Sequence, residues 1–376
     1  MLRIPVGIAI LFLVGRAFYS ENSLHEPARP TILPSLVKKA SALFSTSLDD
    51  VRASRGKPTP AIAEGFPPVI SKATPTTGPW PLSPSLKPKG RVRLQIITED
   101  VAKKQWAYRS KHFTFVSDAP LRTHVLREFA LQFELTHQYC CKLPLALQRL
   151  HGVQTQPMAI HLIEDYEHYI ARGGLPGSAG VYLSQPDVIL VPFKGLGLIS
   201  RHGEYALDPH RSTQTLVHEV THMLMRGPLL QAGWFSEGAA EYVSTIPMTN
   251  DRLLIANHLA SVKSYVTSYG YKGRGGHNLG ARIQLTPLQE MMESDYDTFL
   301  DLPHSYPYSL LLFYFLAHMD GERDGQTLRD YVQVLHSGGD ESTARKAILA
   351  GRDYKTLEKL LTNSWAQHGI YLNFGN

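Results

Sequence analysis

From residue 91 onward the chain alternates between two hydrophobic periods, and each period predicts a different kind of element. Alternation over Arg91–Ile97 and His112–Val116 predicts strands, whereas apolar residues three and four apart over Leu121–Tyr139 predict a long amphipathic helix. Met158–Ile163 and Val188–Pro192 read as further strands, and Gly177–Leu183 between them as a glycine-flanked edge strand. After Thr213 the period is almost entirely helical. It predicts helices over Thr213–Met225, stopped by Gly227-Pro228, then Ser236–Ser244, Arg252–Tyr269, Pro287–Met292, Tyr308–Met319 and Thr327–His336. Strands first and helices later predict an α+β fold over residues 91–376: an N-terminal mixed β-sheet subdomain followed by a mainly helical one.

The first 90 residues have another texture. Met1-Leu2-Arg3 followed by an apolar run from Ile4 to Val14 has the charged start and short hydrophobic region of an export signal, and is too short for a membrane span of about 20 residues. Residues 1–20 are therefore read as a signal peptide, with cleavage after Ala17 or Ser20; neither site is ideal, and an uncleaved N-terminal anchor that holds the chain to a membrane is the alternative. Either way the chain is expected to be exported: periplasmic, secreted or membrane-anchored. Residues 21–90 hold 12 of the 25 prolines and no Tyr, and read as a Pro-rich linker, extended or disordered. Ser35–Arg55 has weak amphipathic periodicity, but so short an isolated helix is marginal in water.

Composition narrows the classes. With 376 residues and 43% hydrophobic positions the chain can bury a large core. Its formal charge of +5 belongs to the first 90 residues, which hold 11 Lys/Arg against 5 Asp/Glu; the remainder carries 27 against 28. A folded region that is neutral overall lacks the electrostatic footprint for phosphate backbones, so nucleic acid is not an expected partner, and one Lys272–Gly276 tract does not change that. Cys140 and Cys141 are adjacent, which is too close for an ordinary disulfide between them.

The chemistry lies in His218-Glu219-Val220-Thr221-His222. Positions i and i+4 share a helix face, so two imidazoles can hold one Zn²⁺ while Glu219 activates a water. Such a site needs a further ligand, and Trp234-Phe235-Ser236-Glu237-Gly238-Ala239-Ala240-Glu241-Tyr242 offers two carboxylates four residues apart on one face of a second helix. One can bind the metal while the other orients a ligating histidine. His202 and His210, at irregular loop spacing, are not read as ligands.

Together the two motifs resemble the gluzincin metallopeptidases, in particular the peptidase MA-like domains of secreted bacterial proteins, in which HExxH is followed by W-[LF]-x-E-G-x-A-E-Y. Every defined position is present. The resemblance implies a zincin-like fold with the active-site helix between the two subdomains, one Zn²⁺ per chain, His218, His222 and Glu237 as its ligands, and Glu241 behind them. Fourteen residues separate His222 from Glu237, whereas the roughly eighteen-residue gap of the aminopeptidase branch would select Glu241 instead. Less specifically, Tyr108 to Leu316 has the same order of elements, and Tyr306 in Tyr306-Pro307-Tyr308-Ser309 stands where gluzincins often place a hydroxyl that steadies the oxyanion. Tyr308, two residues on, competes with it.

The expected function is an exported zinc peptidase acting on a peptide or protein substrate, with Glu219 as general base, Tyr306 at the oxyanion, and Gly180, Val181 and Tyr182 aligning an extended peptide by backbone hydrogen bonds. Two other readings stay open: a catalytically inactive metal-binding interaction domain of the cell envelope, and a zinc hydrolase of non-peptide amides.

Overall fold

The computed structural model describes residues 80–375 apart from residue 82, residue 146, 148–156, 202, 209–210, 213, 226, 250, 271–274 and 322–323. The signal or anchor segment, most of the linker, the Ser35–Arg55 helix, His202, His210 and most of the Lys272–Gly276 tract lie outside the described residues.

Strands β1 (Gln95–Asp100), β2 (Gln105–Arg109), β3 (Phe113–Ser117), β4 (Met158–Ile163), β5 (Val181–Leu183) and β6 (Val188–Pro192) form one mixed sheet in the order β1-β2-β3-β4-β6-β5. β1, β2 and β3 pair antiparallel, β3, β4 and β6 run parallel, and β5 returns antiparallel as an edge. Helix α1 (Thr123–Cys140) makes the crossover from β3 towards β4 and covers the face carrying Phe113 and Phe115; the short α2 (Tyr166–Ala171) lies over the other face, against Ile163, Val181 and Leu190. A hairpin of β7 (Leu198–Arg201) and β8 (Glu204–Leu207) leads into the helical part: α3 (Gln214–Met225), α4 (Gly233–Ser244), α5 (His258–Thr267), α6 (Leu288–Glu293), α7 (Tyr296–Asp301), α8 (Ser305–His318), α9 (Gln326–His336), α10 (Glu341–Leu349) and α11 (Tyr354–Ala366). The chain is thus α+β, with an N-terminal mixed sheet followed by helices.

Several boundaries differ from the periodicity reading. The first strand starts at Gln95, four residues later than Arg91. β2 was unread because Trp106, Ala107 and Tyr108 are all buried, so the strand shows no alternation. The single helix expected over Arg252–Tyr269 is a two-residue strand, a 3-10 turn and then α5, and α7, α10 and α11 were not anticipated. α8 starts at Ser305, so Tyr306 lies in its first turn; Pro307 is tolerated there because the first turn's N–H groups have no partner within the helix. Every residue of α8 from Pro307 to Ala317 is buried, as expected of a helix that is apolar on all sides. No helix among the described residues is long and apolar enough to cross a membrane.

Two packing details position the site. Gly238 lets α4 approach α8: a Cβ there would lie 2.8 Å from the Ser309 carbonyl oxygen and 3.3 Å from Phe313 Cβ. Trp80 and Leu86, inside the segment read as linker, are both buried. Trp80 stands edge-on to Tyr242 and Phe313 and donates its indole N–H to Asp324 O at 3.0 Å; Leu86 exchanges two 2.9 Å backbone hydrogen bonds with Leu253. The end of that segment is therefore part of the core. Cys140 is buried, Cys141 half-buried, and both are free.

Candidate metal centre

Helix α3 is buried from Leu216 to Met225, and α4 is buried along its whole length. Side chains that project from their facing sides must therefore satisfy one another. Nε2 of His218 and Nε2 of His222 lie 2.9 Å apart, and Oε2 of Glu237 is 3.0 Å from the first and 3.4 Å from the second. Donors bonded to one tetrahedral Zn²⁺ at 2.0–2.1 Å stand about 3.3 Å from each other, so this triangle is close to the size such an ion needs. Among the described residues these three are the group of His, Cys, Asp or Glu side chains with the geometry to hold a metal ion. Two imidazoles and a carboxylate also suit the chemistry of zinc better than that of Mg²⁺ or Ca²⁺, which prefer all-oxygen shells.

Glu241, one turn beyond Glu237, takes the opposite edge of the same ring: its Oε1 is 3.1 Å from Nδ1 of His218. Tyr265 of α5 is hydrogen-bonded to Glu241 in turn, and its ring meets His277 edge-on at 4.9 Å. Burial opposes charge on His218, but hydrogen bonds with Glu237 and Glu241 overcome it and hold the ring protonated well above its usual range. Burial likewise pushes Glu237 up, yet His222 and His218 outweigh it and keep the carboxylate ionised. On His222 burial prevails, and its affinity for a proton falls.

Glu219 stands apart from the triangle. It is fully buried, its Oε2 accepts the backbone N–H of Tyr182 at 2.7 Å, and its Oε1 has no hydrogen-bond partner among the described residues. Burial, reinforced by Glu237, pushes its carboxyl up to about 8 despite His218 and the Tyr182 N–H. The edge strand β5 therefore runs directly beside α3. Its Val181 and Tyr182 are buried, and the Tyr182 hydroxyl donates to Asp187 at 3.0 Å. A Cβ on Gly180 would meet Leu190 O at 3.4 Å and Glu219 Cγ at 3.6 Å, so space alone does not demand glycine there.

No protein-family model matches the chain, and no curated protein matches it. Among solved structures it is similar to an M1 zinc metallopeptidase from Deinococcus radiodurans, at 14% identity and a TM-score of 0.37, over 75% of this chain and 52% of the other. The chain thus spans about half the length of that enzyme.

The two tyrosines considered from the sequence part company. The ring of Tyr306 lies 6.2 Å from that of His218, and burial together with Glu237, Glu241 and Glu219 raises the pKa of its hydroxyl, so it faces the carboxylate cluster. Tyr308 instead packs near Phe374, with Glu358 as its charged neighbour. A third tyrosine was not anticipated: Tyr296 donates its hydroxyl to Oε1 of Glu237 at 2.7 Å. The available signal was local. Asp295 caps α7 by accepting the Thr298 N–H at 2.8 Å, and an Asp-x-x-Thr cap marks a helix start.

Proposed function

We propose that this chain is an exported zinc-dependent peptidase of gluzincin type, with the zincin arrangement of a sheet edge beside the metal-binding helix. The convergence of His218, His222 and Glu237, with Glu241 behind His218, carries the reading. When bound, zinc would polarise the scissile carbonyl and bring the pKa of an attacking water toward about 7. With the metal's positive charge beside it favouring the ionised form, Glu219 would take that water's proton and then deliver it to the leaving amine. Glu241 accepts from Nδ1 of His218 and so keeps Nε2 aimed at the triangle. Tyr306 donates to the oxyanion as it forms. An extended substrate would lie along β5, for which Glu219 must first release the Tyr182 N–H it now occupies. Export rests on the first 20 residues and their resemblance to a signal segment.

The test is hydrolysis of a peptide library, followed by mass spectrometry, for wild type with and without chelator and for Glu219→Gln. The wild type should cleave only when loaded with metal, and the variant should retain zinc while turnover falls at least ~100-fold. Equal rates would remove Glu219 as the base. Metal-loaded protein that cleaves no peptide would favour the interaction domain, unless it hydrolyses cell-wall amides.

A further inference from the structure

We infer that Tyr296 is a positioning residue of the metal centre, holding Oε1 of Glu237 so that this carboxylate offers the metal a single oxygen. The inference rests on the metal-binding reading above and deepens it. Glu237 divides its two oxygens cleanly: Oε2 faces both imidazoles, at 3.0 and 3.4 Å, and Oε1 receives the Tyr296 hydroxyl at 2.7 Å. A hydroxyl bond to a carboxylate at that distance is charge-assisted and strong, so turning Oε1 toward a metal means breaking it.

Tyr306 extends the arrangement. Its hydroxyl is hydrogen-bonded to that of Tyr296. The chain therefore runs from Tyr306 to Tyr296 to Glu237. A catalytic zinc site keeps one coordination position open for water or substrate. A carboxylate that closed on the metal through both oxygens would take up that position, and Tyr296 prevents it from a helix of only six residues whose place is set by packing of Phe299 against Gly233 and Tyr306.

Tyr296→Phe keeps the ring and removes the proton donor. Zinc affinity, measured by competition with a chromophoric chelator, should fall about 10 to 100-fold. With Co²⁺ in place of zinc, the visible absorption should weaken in the variant, as expected when a tetrahedral ion gains a ligand. Tyr308→Phe also removes a buried hydroxyl, but one beside Phe374 and Glu358, and should change neither. A wild type that takes up no metal would defeat the metal-binding reading itself. A wild type that binds zinc, with Tyr296→Phe matching it in affinity and cobalt spectrum, would overturn only the role of Tyr296. Should Tyr296→Phe fail to fold, a crystal structure of zinc-loaded wild type decides: one Glu237 oxygen on the metal and the other on Tyr296 supports the inference, and both oxygens on the metal overturn it.

Discussion

Replacing Glu219 with glutamine should make the metal-free protein more stable while disabling it. The carboxyl is fully buried, and its pKa in the folded state is about 8 against 4.5 for an ordinary glutamate. Between those two values the folded state keeps a proton that the unfolded state has lost. Stability therefore falls as pH rises, by about 1.4 kcal/mol per pH unit, and the loss levels off above the folded pKa. At pH 7 it amounts to about 3 kcal/mol, and at pH 5 to about 1 kcal/mol. Glutamine cannot ionise, so Glu219→Gln escapes the loss. Its amide keeps the acceptor for the Tyr182 N–H, and its NH₂ stands where the protonated acid would hold an equally unpartnered O–H, so those costs nearly cancel. Urea unfolding with chelator present, followed by tryptophan fluorescence, should show the variant ahead by about 1 kcal/mol at pH 5 and about 3 kcal/mol at pH 7. A gap that does not widen with pH, or a variant less stable at pH 7, would mean that Glu219 is already ionised in the folded state, and the burial argument would fail. Together with the loss of turnover, a widening gap would locate a stability cost and a catalytic role in one carboxylate.

Other perturbations test neighbouring parts of the argument. Glu237→Ala should abolish tight zinc binding, whereas Glu241→Ala should weaken it only about 10 to 100-fold, because it leaves the three donor atoms and removes the acceptor behind His218; elemental analysis and chelator competition separate the two. Gly238→Ala forces a Cβ to 2.8 Å from the Ser309 carbonyl, so α4 and α8 must part at a cost of about 1–3 kcal/mol, measured by chemical unfolding. Trp80→Ala removes a fully packed indole from beside Tyr242 and Phe313 and should cost about 3–5 kcal/mol in the same assay; an unchanged midpoint would show that residues 80–90 do not hold the core.

By itself the sequence determined whatever depends on local spacing. Histidines four apart on a helix share a face whatever surrounds them, so His218 and His222 were readable as a pair, as was the carboxylate pair Glu237 and Glu241 on the next helix. The order of strands before helices was equally plain, because each period persists for several residues. Local spacing could not decide which carboxylate faces which nitrogen. Glu237 and Glu241 lie on the same helical face, and only the packing of α4 against α3 directs Glu237 to the two Nε2 atoms and Glu241 to Nδ1. Tyr296 joins from a short helix far along the chain, Tyr182 reaches Glu219 through a backbone N–H that no side-chain pattern reports, and Trp80 is drawn into the core from a proline-rich segment. Each of these depends on a distance between elements remote in sequence, set by the complementary shapes of buried side chains, and hydrophobic periodicity tells only which face of an element is buried, not what it is buried against.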